Sequence, residues 1–146
     1  MKGNDLSNVV TPRLCLVFEG ALGFLPEARV RDFNYHGSRG NWRLAWQEWE
    51  LDDLAMRKIW DVTFRQSFQL EVVTYVAPEE GVPALAERLE EESLPITRVT
   101  ASTPARMARR LAYAPDVAYV YDPDPANALV YGSRGGYLRS IHQLGR

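Results

Sequence analysis

Apolar residues along this chain cluster in short runs that alternate with longer stretches of helical spacing. Leu14 to Phe18 is a continuous apolar run of the kind a central parallel strand needs. Arg29 to Tyr35 and Asn41 to Trp49 flank the Gly-rich stretch His36-Gly37-Ser38-Arg39-Gly40, and together they predict a long β-hairpin. In its second arm Leu44 and Trp46 share one face while Ala45 and Trp49 share the other. From Asp52 the period lengthens: Ala55, Ile59 and Val62 fall on one helical face and Met56, Trp60 and Phe64 on the adjacent one, predicting a helix to about Phe68. Leu70 to Val76 reads as a second strong strand, and Pro83 suits the first turn of a helix carrying Leu85, Ala86 and Leu89 and ending before Pro95. A short strand follows at Ile96 to Thr100. Thr103 and Pro104 then form an N-cap and first-turn pair for a helix through Met107, Ala108 and Leu111, and Val117 to Tyr121 is the third strong strand.

Strands alternating with helices predict an α/β fold with a parallel sheet, right-handed crossovers and helices on both faces. The functional crevice of such a sheet lies at the carboxyl ends of its strands. Three segments therefore converge: Val17 to Gly20, Thr74 to Ala77, and Asp122 to Asp124.

Composition narrows the class. A chain of 146 residues is expected to form one domain over 1–146, with a loose arm over 1–11. A net charge of -2 gives no footprint for duplex DNA, so nucleic acid is an unsupported partner. The single Cys15 sits in the first apolar run, which rules out an intramolecular disulfide and fits a reducing compartment. The first ten residues are polar and no window approaches 18 apolar residues. A soluble, cytoplasmic protein with no membrane partner is expected.

The run into Val17-Phe18-Glu19-Gly20-Ala21-Leu22 resembles the first motif of the haloacid dehalogenase-like (HAD) superfamily, an apolar strand followed by Asp-x-Asp-Gly-(Thr/Val)-Leu. The resemblance extends from about Leu14 to Tyr131. It implies a three-layer Rossmann-like parallel sheet with a β-hairpin flap at 28–49 and no large cap domain. Val17 then occupies the nucleophile position and Glu19 that of the general acid/base. Thr74 matches the second motif, which binds the phosphoryl group, and Asp122-Pro123-Asp124 resembles the acidic Mg²⁺-binding motif. For the cationic third motif the chain offers only Arg98, Arg106, Arg109 and Arg110, of which Arg106 is the first choice. The tail from Gly132 also resembles small uncharacterised actinobacterial and phage proteins.

Valine has no lone pair with which to attack phosphorus. The leading expectation is a catalytically degenerate domain, with no catalytic residue and no cofactor, acting as a binding or interaction module. Metal binding at Asp122 and Asp124 is expected to be weak or absent, since Pro123 replaces a further acid and Mg²⁺ demands near-octahedral oxygen ligation. The alternative is a divergent Mg²⁺-dependent phosphohydrolase in which Asp122, Asp124 or Glu19 activates water.

Plainer readings stand beside each of these. Glu19 can simply solvate a loop, Asp-Pro-Asp-Pro is a natural turn, and Thr74 is a β-branched strand residue. The tetrapeptide Gly-Ser-Arg-Gly occurs at 37–40 and again at 132–135, either as ordinary turns or as anion nests with an arginine in reach. His36 and His142 lack companions at zinc-ligand spacing. Trp42, Trp46 and Trp49, with Phe33 and Tyr35, are too many rings for one small hairpin to bury. They predict an interface with a protein partner or a second copy, unless the helix from Asp52 folds back over them.

Overall fold

A computed structural model of the protein describes residues 11–145, so the expected arm lies almost wholly outside the described residues. Five strands form one parallel sheet: β1 (Arg13–Val17), β4 (Gln69–Thr74), β5 (Ile96–Ala101), β6 (Val117–Tyr121) and β7 (Tyr137–Leu138), in the order β5-β4-β1-β6-β7. β1 is central, with Leu16 opposite Val72 on β4 and Tyr121 on β6. Two further short strands, β2 (Gly23–Phe24) and β3 (Glu50–Leu51), pair antiparallel beside the sheet.

Helices α3 (Asp53–Gln66) and α4 (Val82–Glu91) link β1 to β4 and β4 to β5, and α5 (Pro104–Tyr113) and α6 (Ala128–Tyr131) make the later crossovers. Residues of α3 and α4 pack with Leu14, Leu16, Leu70 and Val72 in one core, and residues of α5 and α6 pack with Cys15, Val73 and Val120 in the other. Alternating positions on the same strands thus feed opposite cores, the period of 2 expected of strands buried on both faces. The result is the expected three-layer, Rossmann-like α/β arrangement. Caps set the helix ends: Asp52 accepts from the Ala55 N–H at 3.0 Å, Ser67 ends α3 in a left-handed conformation (φ 56°), and Thr103 caps α5 ahead of Pro104. Among the described residues no helix is long and apolar enough to cross a membrane.

One of the buried polar groups lies within the sheet among arginines. Glu71 on β4 is fully buried, yet it is ringed by Arg13 (3.0 Å), Arg98 (3.0 Å), both terminal nitrogens of Arg110 (2.7 and 2.9 Å) and the Thr100 hydroxyl (2.8 Å). Burial raises its pKa, but the hydrogen bonds from Arg110, Thr100 and Arg98 win and hold it at about 2.

The segment 28–49 corrects the expected β-hairpin. It forms two helices, α1 (Val30–Ser38) and α2 (Trp42–Gln47), inserted between β2 and β3. The reason lies in its spacing: Trp42, Ala45, Trp46 and Trp49 stand at i, i+3, i+4 and i+7, a helical stripe that outweighs the partial alternation of Leu44 and Trp46.

The expected exposed aromatic interface is corrected with it. Trp46 is wholly buried, Trp49 nearly so, and Trp42 half-buried. Their rings pack with Phe18 and Phe33 at centroid distances of 5.4–6.2 Å. The cover is α4 and the turn before it, not the helix from Asp52. The Trp46 indole N–H donates to the Gly81 carbonyl at 2.9 Å, and Arg88 donates to the carbonyls of Trp46 and Trp49. Gly81 is required there, because a Cβ would lie 2.9 Å from the Trp42 ring.

Candidate functional site

The carboxyl ends of β1, β4 and β6 lie side by side, as the strand order dictates. β1 ends at Val17, which is 1% exposed and therefore belongs to the core. The chain then makes a single irregular turn, Phe18–Ala21, in which Glu19 is extended (φ -68°, ψ 114°) and Gly20 takes φ 92°. Positive φ favours glycine at position 20, where a Cβ would meet the Pro123 ring at an ordinary contact distance of 3.4 Å.

This turn aims Glu19 across at β4. One carboxylate oxygen accepts the Tyr75 N–H at 2.6 Å and the other accepts the Thr74 hydroxyl at 2.7 Å. Burial raises the Glu19 pKa to about 7 against those two hydrogen bonds, and the charge of Asp122 adds to the rise. Thr74, itself buried, is thereby joined to Glu19.

Asp122 is completely buried at the end of β6. Its Oδ1 accepts the Asp124 N–H at 3.0 Å, and its Oδ2 accepts from Asn127 Nδ2 at 3.0 Å and from the Tyr131 hydroxyl at 3.2 Å. The Tyr131 hydroxyl is also hydrogen-bonded to that of Tyr75, closing a path from Asp122 to the residue that holds Glu19. Tyr131 stacks on Tyr137 at 4.5 Å, and the Tyr137 hydroxyl donates to the Asp122 carbonyl at 3.3 Å. Burial shifts Asp122, Tyr75 and Tyr131 upward.

Glu19, Thr74 and Asp122 thus enter one polar cluster. The Asp124 side chain does not: its Oδ1 accepts the Ala126 N–H at 2.9 Å and starts the turn at Pro125–Asn127. Arg106 lies exposed on the first turn of α5 with no side-chain hydrogen bond or ion pair among the described residues, while Arg98 and Arg110 serve Glu71. Tyr75, Asn127, Tyr131 and Tyr137 were not expected. Tyr75 follows Thr74 directly, and Asn127 and Tyr131 stand at i, i+4, but neither signal pointed to a shared carboxylate.

Both oxygens of Asp122 and one of Asp124 already accept protein hydrogen bonds, and among the described residues no three His, Cys, Asp or Glu side chains converge. Comparison with protein-family models, curated proteins and solved structures gives no match to this chain.

Proposed function

We propose that this chain is a catalytically degenerate HAD-like domain that acts as an interaction module. The observation that carries the reading is Val17, a core side chain at the end of the central strand, where the resemblance calls for a nucleophilic carboxylate. The position of Glu19 on the irregular turn after β1 supports the squiggle that the resemblance implies. Glu19 holds Thr74 and the Tyr75 N–H, and Asp122 holds Asp124, Asn127 and Tyr131, in place of a phosphoryl group. Glu19, with its pKa raised to about 7, is the feature that favours the phosphohydrolase alternative, since general acid/base chemistry wants such a group. Both its oxygens are committed internally, which weighs against that alternative.

The interaction face moves from the buried tryptophans to α3. Trp60 and Phe64 stack there at 4.6 Å while 44% and 63% exposed, beside a cavity of about 280 Å³. Asp53, Arg57, Trp60 and Phe64 share this face. A second copy of the chain is the proposed partner, seated on the exposed Trp60–Phe64 stack.

Two experiments test the reading. Incubation with Mg²⁺ and beryllium fluoride is expected to leave no stable adduct; an adduct at the end of β1 would overturn the degenerate assignment. Sedimentation is expected to show concentration-dependent dimers that Phe64→Ala abolishes, and a wild type that stays monomeric at high concentration would remove the homodimer.

A further inference from the structure

The two Gly-Ser-Arg-Gly segments have opposite fates in the fold. In the first, the Arg39 N–H donates to His36 and the Gly40 N–H to Gly37, the Ser38 hydroxyl donates to the Tyr35 carbonyl, and the Arg39 guanidinium lies 4.8 Å above the Tyr35 ring. That copy is consumed by its own helix end. In the second, Gly132 (φ 65°) donates to Ala128 and opens the loop between α6 and β7, but none of the N–H groups of Ser133, Arg134 and Gly135 has an acceptor among the described residues.

Ser133 and Arg134, which carry two of these amides, line a cavity of about 350 Å³ together with Tyr137, Arg139 and Gln143, with no Asp or Glu in its lining. Arg134 is steered by donating one terminal nitrogen to the Tyr131 carbonyl at 2.8 Å, which leaves its other N–H groups free. Gln143 is oriented likewise: its Oε1 accepts the N–H groups of Arg139 (3.2 Å) and Ser140 (3.3 Å), so its amide nitrogen remains to donate. Arg139 has no side-chain partner among the described residues. Two guanidinium groups, a primary amide, a hydroxyl and consecutive backbone N–H groups all offer protons, and among the described residues no carboxylate lines the cavity to compete for them. Such a donor set matches a tetrahedral oxyanion, for which arginine forks and backbone nests are the standard recognition elements.

We infer that this cavity binds a phosphate group, held by Arg134, Arg139 and the Ser133 and Arg134 backbone amides. The inference does not depend on the HAD resemblance, whose phosphoryl position is the end of β1.

Titration with inorganic phosphate and, separately, with phenyl phosphate, followed by amide NMR shifts at constant ionic strength, tests it. Saturable shifts centred on Ser133 to Gly135 are expected, and Arg139→Ala and Arg134→Ala should each weaken binding by about tenfold, the worth of one charge-assisted pair. Arg39→Ala, in the consumed copy, should leave binding unchanged. Tighter binding of the ester assigns the cavity to a phosphorylated small molecule, and equal binding assigns it to the free ion. Absence of saturable binding, or binding that survives Arg139→Ala undiminished, would overturn the proposal. Because Arg139 is exposed and without partners among the described residues, its loss cannot be mistaken for unfolding.

Discussion

Replacing Glu19 with glutamine should flatten the stability of the protein across neutral pH. In the native state burial lifts this carboxyl from 4.5 to about 7, while the unfolded chain restores the ordinary value. Between those two values the native state holds a proton that the unfolded state has lost, so stability falls as pH rises. The contribution is fully present below about 4.5 and lost as pH climbs through about 7. The difference corresponds to about 3 kcal/mol at roughly 1.4 kcal/mol per pKa unit. Glutamine keeps the shape, can accept from Tyr75 and can donate to Thr74, but never ionises. Urea unfolding of wild type and Glu19→Gln at pH 5 and pH 8 isolates the effect, because every other titrating group is common to both proteins. The wild type should lose a few kcal/mol more than the variant between the two pH values, with unchanged urea slopes. Parallel losses in both proteins would refute the reasoning, and so would a variant that is the more pH-sensitive of the two.

Other perturbations follow from the same geometry. Arg110→Ala strips Glu71 of its bidentate partner and should cost about 3–5 kcal/mol in chemical denaturation, the usual penalty for leaving a buried charge unpaired. Since the Glu71 pKa is depressed to about 2, its stabilisation is present above the ordinary carboxylate range and should fade as pH falls through 2, visible as a late acid transition that Glu71→Gln lacks. Trp46→Ala should cost about 3–5 kcal/mol by thermal or urea unfolding, since it empties a fully buried site and orphans the Gly81 carbonyl. Val17→Asp is expected to destabilise the fold without creating phosphatase activity towards a chromogenic phosphate ester, because the remaining groups are not arranged as a catalytic unit.

The sheet was legible because its strands are unmixed apolar runs bounded by turn residues: Leu14 to Phe18, Leu70 to Val76 and Val117 to Tyr121 all became strands within a residue or two. The 28–49 segment misled because Trp46 belongs to two patterns at once. A period of 2 pairs it with Leu44, a period of 3.6 with Trp42, Ala45 and Trp49, and only the second puts four side chains towards the core. Glu71 was invisible for a different reason. An acid inside Leu-Glu-Val-Val-Thr looks like an outward-facing strand residue, and its three arginines come from positions 13, 98 and 110, which topology alone brings together. At the candidate site, strand-end placement brings Glu19 and Thr74 into contact and Asp122 to the neighbouring strand end. The tyrosines that join them could not be read in advance, since Tyr75 and Tyr131 meet only because β4 and β6 flank the same central strand.

The helical insert also bears on how the molecule comes apart. Its ends are adjacent, with Gly23 opposite Leu51 and Phe24 opposite Glu50, so by connectivity it could be excised or swing open on a two-strand neck. Three cross-links to the neighbouring crossover, Trp46 to Gly81 and Arg88 to two carbonyls, remove that freedom and bury the insert's rings among those of the sheet core. A piece that is separable in topology is inseparable in energy. Its amides should exchange with solvent only through the opening that melts the sheet, as one cooperative unit.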